Sequence, residues 1–188
     1  MTEIGSHSGD SNHSELRCDN FASGRCRSCP RLALPPDQRF AEKVAAFTAL
    51  AKSQLAGSTT VLPLWVPSSI FPSRGKAKMV VTGTLESPCF GILDAALLGR
   101  ELLNCPLHLP VINRTLERLK SLTPELALSP YNIEARSGEL KYLILNASRD
   151  ESQLMLRFVL RSTEAVSRIR KGCARLLEAI PELCSISA

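Results

Sequence analysis

The alternation of apolar and polar residues predicts five strands along the chain. Residues 77–84 and 89–93 form one predicted pair of strands, and residues 139–147 and 153–161 form a second pair. In the second pair, apolar side chains recur at about every second position, which is the period of a strand with one buried face. A last strand is predicted over residues 183–187.

Apolar residues at helical spacing predict three helices. These helices cover about residues 35–55, 111–122 and 164–179, and Thr163 is the predicted N-cap of the last one. The order of helix, two strands, helix, two strands, helix and strand is typical of an α+β domain with a mainly antiparallel sheet and flanking helices. One apolar face of the first helix is predicted to consist of Phe40, Val44, Phe47 and Leu50.

The chain divides into three predicted regions. Residues 1–16 are polar and rich in Gly, Ser and His, and we expect them to form a disordered tail. Residues 17–34 form a loop that contains cysteines, and residues 35–188 form the α+β domain. Because the last predicted strand ends at Ala188 without a polar tail, we expect more protein to follow it.

Composition excludes several classes of protein. No apolar run approaches the roughly 20 residues that span a bilayer, and the first ten residues lack the apolar region of a secretory signal. The seven cysteines are an odd number, which indicates a reducing cytosol rather than a disulfide framework. We therefore expect a cytoplasmic protein with no membrane partner. The formal net charge of +5 is only a mild excess, so the distribution of the cations matters more than their number.

Four cysteines have the spacing of a metal site: Cys18, Cys26, Cys29 and, far downstream, Cys105. Two thiolates separated by two residues can reach one metal centre, and a distant fourth ligand closes the chain around it. Zinc and an iron–sulfur cluster both fit four thiolates, and the spacing alone favours zinc. The other three cysteines are interpreted as small hydrophobic residues, namely Cys89, Cys173 and Cys184.

Six cations are candidates for contacts with RNA phosphates. Three of them alternate with small residues in one extended segment, so their charges project from one side. Two others lie four residues apart on one predicted strand and therefore share a face, which a lysine of the neighbouring strand can join. A solvated cationic face explains each group equally well. The candidates are Arg74, Lys76, Lys78, Lys141, Arg157 and Arg161.

Several segments together resemble a known family. The two most specific are the cysteine loop, residues 18–29, and residues 155–162. With residues 74–81, 104–107, 130–132 and 138–142, they resemble the N-terminal part of the bacterial 23S rRNA uracil-5-methyltransferases of the RlmC (formerly RumB) type. The resemblance covers roughly residues 17–188.

This resemblance implies a four-iron, four-sulfur cluster held by Cys18, Cys26, Cys29 and Cys105, and it reverses the preference for zinc. It also implies a central α+β domain that contacts 23S rRNA. A C-terminal, Rossmann-like domain of the family uses S-adenosylmethionine, and its cysteine adds to C6 of uracil before C5 is methylated.

No Gly-rich turn that could hold S-adenosylmethionine occurs in the sequence. The resemblance therefore implies that the methyltransferase domain, with its catalytic cysteine and general base, is absent from this chain. We expect the chain to be inactive alone and monomeric, docking to its own C-terminal domain in the full-length family. The alternative is a stand-alone RNA-binding module that holds zinc or a cluster and has no enzymatic activity.

Overall fold

Six strands form one mixed sheet in a computed structural model, which describes residues 17–55, 57, 59 and 72–188. The strands are β1 (Lys76–Gly83), β2 (Pro88–Leu93), β3 (Gly99–Glu101), β4 (Leu140–Ala147), β5 (Leu154–Leu160) and β6 (Leu183–Ser187). Their order across the sheet is β3-β2-β1-β4-β5-β6. Neighbouring strands are antiparallel except β5 and β6, which are parallel. The predicted α+β class with a mainly antiparallel sheet is confirmed, whereas the predicted tail lies outside the described residues.

The described residues form helices α1 (Asp19–Ala22), α2 (Pro36–Gln54), α3 (Pro110–Glu125) and α4 (Val166–Ala179). Helix α3 contacts β2 and β4, and α4 contacts β6, so both cover one face of the sheet. The core between them is aliphatic with two buried phenylalanines, Phe90 and Phe158. Among the described helices, none is long and apolar enough to cross a membrane. The three predicted long helices are confirmed, and α1 is a single turn within the segment predicted to be a loop.

The predicted apolar face of α2 is largely exposed. Phe40 is 51%, Phe47 49% and Leu50 61% exposed, and Ala51 is the buried residue of this helix. An ion pair between Arg31 and Glu42 joins the helix to the cysteine loop. Amphipathic spacing therefore predicted the helix correctly. The apolar face that it defines is not buried in the core of the described residues.

The prediction that Thr163 caps the last helix is wrong. Helix α4 begins at Val166, and Ala165 occupies the cap position without a side-chain hydrogen bond. Thr163 contributes only its carbonyl oxygen, which accepts the N–H of Val166 at 3.1 Å. The side chain that orders this turn is Ser162, whose hydroxyl accepts the N–H of Glu164 at 3.2 Å.

The N-terminus of α3 is capped from a distant turn. Glu151, between β4 and β5, accepts the N–H of Val111 at 2.7 Å through Oε2. A carboxylate at this end of a helix also compensates the positive end of the helix dipole. The contact holds the start of α3 against the sheet, and the chain that leads into this helix carries Cys105.

Candidate functional site

All four predicted cysteine ligands line one cavity of about 160 Å³. Three come from the segment around α1, and Cys105 comes from the loop before α3. Three of the predicted RNA-binding cations line the same cavity, namely Arg74, Lys76 and Lys78. The structure thus brings together two sets of residues that the sequence predicted separately. Within the described residues, the side chains of His, Cys, Asp and Glu form no group of three or more with the geometry of a metal-ion site.

Local hydrogen bonds fold the cysteine loop back on itself. Cys18 precedes the single turn of α1, and Gly24 reverses the chain after it with φ of 76°, a conformation that glycine adopts without steric cost. The N–H of Cys26 then donates to the carbonyl of Asn20 at 2.9 Å. The amide of Asn20 reaches the carbonyl of Asn104 at 3.4 Å, which links this loop to the segment of the fourth cysteine.

The segment after Cys105 is fixed by the chain that enters β1. The N–H of Arg74 donates to the carbonyl of Leu107 at 2.7 Å, and Arg74 forms a parallel bridge with His108. The carbonyl of Cys105 accepts the N–H of His108 and the amide of Asn113, both at 3.1 Å. These bonds hold Cys105 and the cation Arg74 on adjacent segments.

The thiols interact electrostatically with one another. Burial raises the pKa of Cys29, the guanidinium of Arg74 lowers it, and the neighbouring Cys26 and Cys18 raise it further, with a net rise. Burial also raises the pKa of Cys105, although backbone N–H groups directed at this thiol act in the opposite sense. A metal or cluster requires thiolates. Binding of a metal or cluster here would therefore release the thiol protons. The guanidinium of Arg74 and the backbone N–H groups would stabilise the resulting thiolates.

Two polar residues of the site, His108 and Asn113, were not predicted from the sequence. His108 is 6% exposed, and its Nδ1 lies 3.3 Å from Oδ1 of Asn113. Burial lowers the pKa of His108, so the neutral ring is favoured. The only available signal was the position of the histidine, three residues after Cys105.

The predicted RNA-binding cations do not form one group. Lys76 and Lys78 are exposed on β1, and Lys78 is in register with Ile144, which is in register with Arg157. Arg157 therefore shares their side of the sheet. Lys141 lies at a register shift in β4, and its ammonium is 4.7 Å from the centre of the Tyr131 ring.

Arg161 is bound to a buried carboxylate. Its Nε and Nη2 donate to Oε1 of Glu139 at 3.1 and 2.8 Å, and Ser162 donates to Oε2 through its N–H and its hydroxyl. Glu139 is 5% exposed. Sequence patterns missed this carboxylate because a glutamate at the first position of a predicted strand carries no signal of burial.

We expect Glu139→Gln to lower the free energy of unfolding at neutral pH by about 2 kcal/mol, because charge-assisted hydrogen bonds are lost. Hydrogen bonds from Arg161 and Ser162 hold the pKa of Glu139 below its usual value of 4.5. Its contribution is therefore complete above pH 4.5 and is lost as the pH falls through the lowered pKa. Chemical denaturation at several pH values measures both effects.

The matched control is Glu134→Gln, which alters an exposed glutamate and should leave stability within about 0.5 kcal/mol. Equal losses of stability in the two variants at neutral pH would show that the Glu139 contacts are unimportant.

Comparisons with known proteins agree with the resemblance seen in the sequence. The chain is 42% identical over 173 residues to the 23S rRNA (uracil(747)-C(5))-methyltransferase RlmC of Halothiobacillus neapolitanus, covering 92% of this chain and 44% of that protein. The RlmC protein of Edwardsiella ictaluri is 37% identical over 173 residues, with 92% and 45% covered. The predicted resemblance to the RlmC type is confirmed. The chain spans less than half the length of the curated relatives it matches.

No protein-family model matches the chain. A solved structure of the Pyrococcus abyssi tRNA (uracil-54, C5)-methyltransferase in complex with S-adenosyl-L-homocysteine is 23% identical, with a TM-score of 0.44. The match covers 50% of this chain and 23% of the solved chain, and a likeness of this extent carries no conclusion.

Proposed function

Because the chain is related over 92% of its length to RlmC-type 23S rRNA uracil-5-methyltransferases, we propose that it is the cluster-binding, rRNA-contacting part of such an enzyme. The observation that carries this proposal is the relationship itself, together with the cavity in which the four cysteines meet Arg74, Lys76 and Lys78. The methyl donor S-adenosylmethionine and the catalytic cysteine are assigned to the part of the relatives that this chain does not match.

The donor set fits a four-iron, four-sulfur cluster. Cys18, Cys26, Cys29 and Cys105 would supply the four thiolates, and this all-sulfur set is the usual ligand set of such clusters. Cationic side chains and backbone N–H groups beside the thiols compensate the negative charge that thiolate ligation creates. When bound, the cluster supplies a cross-link between the cysteine loop and the segment before α3. We assign it a structural role because methylation of uracil requires no electron transfer.

The cations beside the cluster are assigned to the rRNA backbone. Arg74 and Lys76 line the cysteine cavity at the start of β1. RNA bound to these side chains would therefore lie next to the cross-linked cysteine loop. Salt weakens such contacts, because binding to phosphates releases condensed counterions.

The test is equilibrium binding to a 23S rRNA fragment that contains uracil 747, the position in the names of the relatives. We expect Lys76→Ala to weaken binding and to reduce the slope of log affinity against log salt by about one, as for the loss of one phosphate contact. Lys52→Ala, which removes an exposed lysine from α2, is the control and should leave the slope unchanged.

Equal affinity for this fragment and for an unrelated structured RNA would contradict the assignment to 23S rRNA and would favour a stand-alone RNA-binding module. Identical salt slopes for the wild-type chain and Lys76→Ala would contradict the phosphate contact.

A further inference from the structure

The helices of the described part of the chain leave one face of the sheet uncovered. Along β1, β4, β5 and β6, the side chains opposite the buried core alternate with it and are exposed or half-buried. We call this surface the open sheet face. Its members are Lys76, Lys78, Val80, Thr82, Tyr142, Ile144, Asn146, Met155, Arg157, Val159, Ser185 and Ser187. No carboxylate is among them.

The cations of the open sheet face have no anionic partner among the described residues. Arg157 donates to the hydroxyl of Ser187 at 3.1 Å, and the ammonium of Lys78 lies 4.3 Å from the centre of the Tyr142 ring. By contrast, Arg168 and Arg175 on α4, behind the opposite face of the sheet, form ion pairs with glutamates. The open sheet face therefore carries positive charge that no carboxylate of the described residues neutralises, which favours a polyanionic partner.

The open sheet face also carries apolar side chains. Met155 is 52% exposed, which is unusual for a large apolar side chain on a strand that lies inside a sheet. Ile144 lies in the next register row, and Tyr142 and Val159 pair in the row beyond it; all three are half-buried. A duplex RNA offers phosphates and hydroxyl groups to a protein surface, whereas an unpaired strand also offers the flat faces of its bases.

We propose that the open sheet face binds an unpaired stretch of RNA, with bases against Tyr142, Ile144 and Met155 and phosphates against Lys78 and Arg157. The inference rests on the proposed function and adds to it the kind of RNA and the surface that holds it. A four-stranded sheet face is the size on which other RNA-binding domains stack two or three bases. Lys76 and Lys78 also line the cysteine cavity, so this surface is continuous with the cluster site.

The Tyr142 ring is a positioning element for Lys78. An ammonium held over an aromatic face is attracted to the ring by about 0.5–1 kcal/mol at an exposed site. This attraction restrains a side chain that otherwise rotates freely. Tyr142→Phe retains the ring and should keep RNA affinity within about twofold, whereas Tyr142→Leu should lower the affinity by about tenfold through the loss of one stacking contact.

The decisive variant is Met155→Glu in the full chain, with its metal centre loaded. We expect it to weaken binding of a short, fluorescently labelled single-stranded RNA by tenfold or more, because it replaces a base contact and adds a negative charge. Leu177→Glu is the matched control: Leu177 is 47% exposed on α4, and the change should leave affinity within about twofold. The same RNA annealed to its complement should bind more weakly to the wild-type chain.

A second pair of variants separates charge from packing. Lys78→Ala should reduce the salt slope by about one, whereas Lys171→Ala on α4 should not. Thermal unfolding of each variant checks that the fold is retained.

The possible outcomes distinguish this inference from the proposed function. If the wild-type chain binds RNA but Met155→Glu and Leu177→Glu bind it equally well, the open sheet face is not the RNA surface, while the proposed function stands. If the wild-type chain prefers the duplex, the assignment to unpaired RNA is wrong. If the wild-type chain binds no RNA at all, the proposed function fails as well.

Discussion

Replacing Cys26 with serine is expected to remove the metal centre and to loosen the cysteine loop. Cys26 lines the cavity with the three other predicted ligands, and serine does not replace a thiolate as a ligand to iron or zinc. Ligation closes a long loop between Cys29 and Cys105, a cross-link worth about 2–4 kcal/mol. The melting temperature should therefore fall by on the order of 10 °C. Hydrogen exchange in residues 17–34 should become faster.

The control for this variant is Cys173→Ser. Cys173 is half-buried on α4, where its thiol contacts the carbonyl of Ile169 at 3.4 Å, and it does not line the cavity. Metal analysis and calorimetry on both variants check the expectation. Full metal content and an unchanged melting temperature in Cys26→Ser would remove this cysteine from the ligand set.

The second large effect is expected for Gly91→Ala in β2. A Cβ at this position would lie 1.8 Å from the carbonyl oxygen of Arg100 and 3.0 Å from the backbone nitrogen of Leu102. Because these are backbone atoms, no side-chain rotation relieves the clash, and β3 must move away. We expect a loss of about 3 kcal/mol of folding free energy, measured by chemical denaturation.

The same substitution should lower metal content, since Leu102 begins the segment that leads to Cys105. Its N–H donates to the carbonyl of Phe90 at 2.9 Å, and displacement of β3 breaks this bond. Gly57→Ala is the matched control, because a Cβ at Gly57 meets no atom of the described residues within 4 Å. Stability and metal content that are equal in the two variants would show that β3 does not position the fourth cysteine.

Most strands could be predicted because their alternation records burial directly. In β1, Ala77, Met79 and Val81 are buried, and Lys76 and Lys78 between them are exposed. The same regularity explains why β2, β4, β5 and β6 lie close to their predicted bounds. A period of two is a property of one strand alone, so it can be seen without knowledge of its neighbours.

Strand β3 could not be predicted in this way. Its three residues are too few to show a period, and it exists because the turn before it is ordered. The carboxylate of Asp94 accepts the N–H groups of Ala96 and Leu98, both at 2.9 Å, and Leu97 adopts φ of 60°. These contacts return the chain to β2. The parallel pairing of β6 with β5 likewise depends on tertiary packing rather than on the pattern of either strand.

The sequence could select the four cysteines of the candidate site but not the way in which the fold brings them together. The hydrogen bond from Asn20 to Asn104 links the cysteine loop to the segment of Cys105, and the bridge of Arg74 with His108 joins that segment to β1. Neither contact has a periodic signal in the sequence.

Arg161 was assigned to a basic surface because it lies four residues from Arg157 on the predicted strand. In the structure its guanidinium is bound to Glu139, so a charge pattern in the sequence does not distinguish a free cation from a paired one.

The measurement that tests the central claim most directly is the content of iron, acid-labile sulfide and zinc per chain after purification without oxygen. We expect about four irons and four sulfides, the composition of a cluster held by four cysteines. About one zinc with no sulfide would contradict the cluster and indicate a structural zinc site with four thiolate ligands.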